Sequence, residues 1–144
     1  MSADRERPVF GRRLEGVTYE KRPAAYVIVR NDEGLVASVR SSSGYALPGG
    51  GSDTGETPEE TVVREVREEL GREVRIIEKI AEAVQYFHAA SDETHYEMIA
   101  TYFRAEFGET TGEPEYELCW LDMSGDGRVY FHECHDWAAR RDGR

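Results

Sequence analysis

Residues Thr57 to Gly71, TPEETVVREVREELG, constrain the fold more than any other stretch of the chain. Thr57 with Glu60 three positions on forms a capping box, which satisfies two backbone N–H groups at a helix start. Pro58 then occupies the first helical position, where its missing N–H costs nothing. Val62, Val63, Val66 and Leu70 recur at helical spacing, and Gly71 is a stop. The pattern predicts an amphipathic helix over Pro58–Leu70.

That helix has a second face. At about 100° per residue, Glu65, Glu68 and Glu69 fall within about 100° of one another and are expected away from the valine stripe. A solvated helix face normally alternates in sign, and a Glu-rich helix is common in an acidic protein. Here one sign is concentrated, with Arg64 and Arg67 expected to point elsewhere. Like charges so close weaken an isolated helix by a few tenths of a kcal/mol per pair. Mg²⁺ or Mn²⁺, hard cations that take oxygen ligands, would relieve the repulsion.

Charge narrows the partners further. The formal net charge is −11, with acidic residues spread along all 144 positions. Such a chain has no broad basic surface for a nucleic-acid polymer. A phosphate-bearing ligand would need a metal or a few placed cations to offset repulsion.

The remaining elements arrange themselves around the helix. The first twenty or so residues are polar and read as a loosely held lead-in. Ala24 to Arg30 (AAYVIVR) reads as a buried strand, Asn31–Gly34 as a turn, and Leu35 to Arg40 as a second strand, giving a hairpin. A glycine-rich loop, SSSGYALPGGGSDTGE, leads to the helix. Val74 to Ala90 holds at least one strand, Ser91–Thr94 a turn, and His95 to Phe107 a long partner strand. After the polar loop GETTGEPE comes a short strand near Leu118–Leu121, then a terminal helix from about His132 to Arg141. This order predicts one domain spanning the chain, an α+β or mixed α/β sandwich.

Read together, Gly50 to Gly71 spell GGSDTGETPEETVVREVREELG. This resembles the Nudix box: Gly, five residues, Glu, seven residues, Arg-Glu, an aliphatic, any residue, Glu-Glu, any residue, Gly, an aliphatic. The matching positions are Gly50, Glu56, Arg64, Glu65, Val66, Glu68, Glu69 and Gly71. Seven fixed residues at ordinary usage match by chance on the order of 10⁻⁸ per start point. One position departs: Arg72 stands where an aliphatic is expected, and Val74 is the candidate to take over its packing. Leu47-Pro48-Gly49-Gly50 and Glu115–Trp120 extend the resemblance to roughly residues 24–121.

The resemblance implies a Nudix-type α/β/α sandwich, with the box helix on one face and the terminal helix near the other. It implies a metal-dependent hydrolase that cleaves the diphosphate bond of a nucleoside diphosphate linked to another moiety. Short members of this kind lean towards (deoxy)nucleoside triphosphate pyrophosphohydrolases. The alternative is a catalytically silent module that binds a nucleotide, a class that usually lacks one or more box carboxylates; this chain keeps them all. By similarity, Glu65, Glu68 and Glu69 hold Mg²⁺ (or Mn²⁺), with the Gly50 carbonyl a further ligand. Arg64 orients the acidic cluster from behind, and Glu56 supports the helix start. Gly50, Gly51 and Gly55 allow the loop to approach the helix. One more carboxylate, as ligand or general base, is expected from the later acidic loop, with Glu115 ahead of Glu113 and Glu117. Arg40, at the end of the second strand, resembles a phosphate-contacting arginine or is a solvated charge.

Other residues carry weaker signals. His132, Glu133, Cys134 and His135 lie close together, but without a paired motif elsewhere they are expected to be surface residues and not a zinc site. Tyr86, Phe87, His88 and Tyr96, with Tyr26 and Tyr45, could stack on a base or pack across strands. Cys119 and Cys134 are too few for a disulfide scaffold. No secretory leader or apolar span is visible, so the default expectation is a cytoplasmic enzyme acting on a small molecule away from membranes, with homodimer formation allowed.

Overall fold

The computed structural model describes residues 7–142. Ten elements run in the order β1 (Val9–Phe10), β2 (Glu20–Ile28), β3 (Val36–Ser41), β4 (Gly44–Ala46), β5 (Gly49–Gly51), α1 (Pro58–Leu70), β6 (Arg72–Ala89), β7 (Thr94–Thr110), β8 (Leu118–Leu121) and α2 (Glu133–Asp142). α1 begins as the sequence demands. The Thr57 side chain accepts from Glu60 N–H, Glu60 reaches back to Thr57 N–H, and Gly71 closes the helix in the left-handed conformation at φ 61°.

Five strands form a mixed sheet in the order β1-β6-β7-β2-β5, and three form an antiparallel sheet in the order β4-β3-β8. β2 is buried on both faces, so its alternation serves two cores. Ala24, Tyr26 and Ile28 pack with Cys134, Ala138 and Ala139 of α2. Ala25, Val27 and Val29 pack with Val62 and Val66 of α1. The two helices therefore cover opposite faces of the sheet, as expected of the sandwich.

β6 and β7 make one long hairpin that serves both cores in turn. Val74, Ile76 and Phe107 join the α1 side, while Ala81, Ala83, Met98 and Ala100 join the α2 side. Register shifts between Arg72 and Val74, Ile76 and Glu78, and Lys79 and Ala81 separate the two halves. Bulges of this kind bend a ribbon and add twist. Val74 does pack where an aliphatic was wanted. Arg72 has its own explanation: its guanidinium lies 5.3 Å from the Phe107 ring centroid and donates to the Gly108 carbonyl.

Three expectations need correction. The strands at 24–30 and 35–40 do not continue as a hairpin: after the Arg30–Val36 bridge they part into different sheets. The turn chemistry is as read, with Asn31 Oδ1 accepting from Glu33 and Leu35 N–H. Each strand, however, finds its partner elsewhere, β7 for β2 and β8 for β3. The described part of the lead-in, residues 7–20, is tied down as well, because β1 pairs in parallel with β6 at Val84 and Gln85; residues 1–6 lie outside the described residues. Tyr19 packs edge-on against Tyr86 and accepts from Leu14 N–H. Finally, Glu69 is not clear of the apolar stripe. It follows Val62 by seven residues, an offset of only about 20° around a helix, and is drawn inward.

Candidate active site

The glycine strand β5 pairs with β2 and lies against α1, so the loop backbone and the helix carboxylates meet. Gly49 N–H donates to Glu69 Oε1 at 3.0 Å. Burial is the main cause that pushes the Glu69 carboxyl up to about 8; Glu65, Glu115 and Glu68 add to it, and the Gly49 bond works against it. Glu65 is half-buried and shifted upwards, again chiefly by burial. Glu68 faces solvent.

Arg64 does not point away from this cluster. Its guanidinium holds both oxygens of Glu56, at 2.7 and 3.0 Å, and donates to the Gly51 carbonyl at 3.0 Å. The remaining nitrogen reaches Glu65 at 3.2 Å and Glu68 at 3.4 Å. On the helical wheel Arg64 sits about 40° beyond Glu68, so the fold back is short. Glu56 also accepts from Asp53 N–H and Thr61 Oγ1, and the Arg64 bond is the largest cause holding it down at about 2. The fork is bidentate, which fixes direction as well as charge.

Gly50 is the point of closest approach. A Cβ there would lie 2.7 Å from Glu65 Oε2. The obstructing atoms belong to the end of a flexible side chain, so Gly50→Ala should fold with a melting temperature close to wild type. Glu65 must then swing aside, and turnover is expected to fall by at least about tenfold. Wild-type turnover in that variant would remove Glu65 and its cradle from the site.

Among the described residues, no three His, Cys, Asp or Glu side chains form a ready-made metal cage. The cause is visible: Arg64 draws Glu65 and Glu68 to itself while Glu69 turns inward to Gly49. Mg²⁺ seldom needs such a cage, since it keeps waters and binds through one or two carboxylates plus substrate phosphates. The hard-oxygen donor set and the cradle that a Cβ would fill both fit a divalent cation.

The later loop is fastened to this helix. The Glu69 carbonyl accepts from both Glu115 and Tyr116 N–H at 2.9 Å, which brings Glu115 to the end of α1. Its side chain is exposed.

From Glu69 and Gly49 a cavity of about 540 Å³ runs to an aromatic end. Phe87 and Tyr96 are cross-strand partners in β6 and β7, stacked at 5.3 Å, and both line it. They therefore pack across strands and face the cavity at once. Tyr26, Tyr45 and Phe131 line it too, while Tyr86 turns to Tyr19 on the outside. Arg40 is exposed and is not part of this wall. The cationic group there is Arg22, whose guanidinium lies 5.5 Å from the Tyr96 ring centroid. Starting the strand at Ala24 hid Arg22, yet counting back in twos from Tyr26 places it on the same face.

His132 and His135 are not surface residues, contrary to expectation. His135 is fully buried, and Cys134 with it. Leu47 N–H donates to His135 Nδ1 at 3.3 Å. The His132 ring lies 4.6 Å from Phe87 and 4.9 Å from Phe131. Burial first, then Arg22 and Arg128, lowers its pKa to about 4, so it is neutral near pH 7. Asp136, in the first turn of α2, accepts from Val129 and Tyr130 N–H and ties that segment to the helix.

With this geometry in place, the comparisons with known proteins fix the class. The chain belongs to the Nudix family, the NUDIX domain matching residues 20–124, and it is a pyrophosphohydrolase of Nudix type. Members of this family generally use divalent metal ions. Solved structures share the fold. A MutT NUDIX hydrolase from Burkholderia pseudomallei is 22% identical with a TM-score of 0.63, covering 85% of this chain and 98% of that one. A MutT protein from Methanosarcina mazei Go1 is 22% identical at 0.63, covering 89% and 93%. An ADP-ribose pyrophosphatase from Streptococcus suis 89-1591 is 15% identical at 0.62, covering 85% and 89%. No curated protein sequence matches the chain. No helix among the described residues is long and apolar enough to cross a membrane.

Proposed function

We propose that this enzyme hydrolyses the diphosphate bond of nucleoside 5′-triphosphates, with Glu65, Glu68 and Glu69 and the Gly50 carbonyl holding Mg²⁺ or Mn²⁺. The observation that carries the reading is one cavity with buried carboxylate at one end and neutral aromatic groups at the other. A polyphosphate belongs at the first end and a heterocycle at the second. When bound, the cation neutralises phosphate oxygens and acidifies a bound water.

The chain's own residues do the rest. Arg22 sits beside the path between the two ends and offers its cation to a phosphate. Arg64, braced by Glu56, reaches Glu65 and Glu68 directly and holds them in place. Glu115, fixed by its backbone to Glu69, brings a carboxylate from outside the helix to accept a proton from attacking water. Glu115→Gln is expected to lower kcat by at least about tenfold with little change in thermal stability, since the side chain is exposed. A drop confined to Glu113→Gln or Glu117→Gln would move the role to that neighbour.

Phosphate and pyrophosphate release from ATP, GTP, CTP, UTP, ADP-ribose and a nucleotide sugar, with Mg²⁺, tests the whole reading. Turnover of triphosphates above the other two classes is the expected result. Binding without any turnover would instead mark a nucleotide-sensing module.

A further inference from the structure

His135 carries a polar atom that the site as described leaves unused. The residue has no exposed surface, yet it borders the cavity. Because Leu47 N–H donates to Nδ1, that nitrogen is the acceptor of the ring. Tyr26, Tyr102 and Tyr130 surround the imidazole, with ring centroids at 4.3, 5.8 and 5.8 Å, an apolar setting that keeps it uncharged. The proton of the neutral ring must then reside on Nε2. That N–H is buried and has no hydrogen-bond partner. A buried donor without a partner is costly, and at a cavity it calls for one, a water or a ligand group.

We propose that His135 is a specificity-determining residue, donating from Nε2 to a ring-nitrogen or carbonyl acceptor on the nucleobase. The inference rests on the triphosphate reading above and extends it to the base. Three observations support a heterocycle as the occupant. Phe87 and Phe131 both lie within 5 Å of the His132 ring, and His132 lies 5.3 Å from His135, so flat uncharged surfaces gather around the donor. Phe131 is 42% exposed despite its size, which leaves a ring face at the cavity rim for stacking. The donor is screened from bulk water, so a base acceptor meets little competition there.

His135 also holds the loop ahead of Gly49, and the test must separate the two roles. Asn in place of His keeps an acceptor near the Nδ1 position for Leu47, while its own NH₂ stops short of the Nε2 position, so no donor stands where the base would meet it. His135→Asn is to be compared with wild type on the best of ATP, GTP, CTP and UTP, and on ribose 5-triphosphate, which has the phosphates and no base. The preference for the nucleotide, as a ratio of kcat/KM values, should fall by about tenfold or more. A ratio within about twofold of wild type overturns the proposal, whether both activities fall together or neither changes. In the second case the Tyr26 ring already satisfies the N–H. Should His135→Asn not fold, the wild type still decides. The ¹⁵N resonance of His135 Nε2 is followed as α,β-methylene analogues of the four triphosphates are added. A shift on saturation supports the contact, and an unmoved resonance with a bound analogue, or no binding of any analogue, overturns it. Wild-type inactivity on all triphosphates would sink the functional reading; wild-type activity with an unchanged preference ratio would sink only this inference.

Discussion

Glu69→Gln should make the apo protein more stable at pH 8 while reducing kcat by at least about a hundredfold. The two effects share one cause. Burial raises the Glu69 carboxyl to about 8, above the ordinary value of 4.5 that it regains on unfolding. The folded state therefore holds the proton more tightly than the unfolded state. Stability from this group is fully present below pH 4.5 and is lost as pH rises towards 8. Glutamine stays neutral throughout and can still accept from Gly49 N–H. The gain at pH 8 should be on the order of 2–4 kcal/mol, and it should shrink towards zero near pH 4. Thermal melts of both proteins across that window, without divalent ions, check the sign. A variant less stable at pH 8 would mean that Glu69 is held as a carboxylate by contacts stronger than its burial.

Arg64→Lys is the second large effect expected: at least about a hundredfold in kcat, with a lower melting temperature, despite the conserved charge. Lysine offers one point charge where the guanidinium makes a fork on Glu56, reaches the Gly51 carbonyl, and steadies Glu65 and Glu68. Loss of that geometry should free both helix carboxylates to splay and leave Glu56 facing the loop without its fork. Residual turnover should need a higher Mg²⁺ concentration, because the ligands must then be gathered by the ion itself. Near-normal kcat and Mg²⁺ dependence in this variant would reduce Arg64 to a structural staple of the loop.

Much of the fold was legible because its decisive signals are local. The cap at Thr57, the proline behind it and the stop at Gly71 act within a few residues of themselves, so α1 came out with the right ends. The glycine-rich loop and the Glu65, Glu68 and Glu69 spacing carried the class. What stayed hidden depends on contacts far apart in sequence. Nothing near Leu35 says that β3 will leave β2 for β8. His135 lies in a run of His, Cys, Glu and Trp with no clean apolar period, and its burial is decided by Leu47 and by aromatic rings more than thirty residues away. Arg22 was missed for a smaller reason, a strand started four residues late, at Ala24 where β2 begins at Glu20. Glu69 was placed on the right helix and the wrong side of a boundary only about 20° wide.

The path of the β6–β7 hairpin has a consequence for how such an enzyme can change. One end of the ribbon, at Arg72 and Gly108, abuts the helix that carries the carboxylates; the other, from Phe87 to Tyr96, forms the wall of the aromatic chamber. The bulges between them let each half twist on its own terms. Residues at the tip can thus be exchanged, or the tip lengthened, without touching Glu65, Glu68, Glu69 or the cap at Thr57. Under the function proposed above, bond cleavage belongs to α1 and its loop and contact with the base to the hairpin tip and α2, so a change at the tip leaves the cleaving end intact.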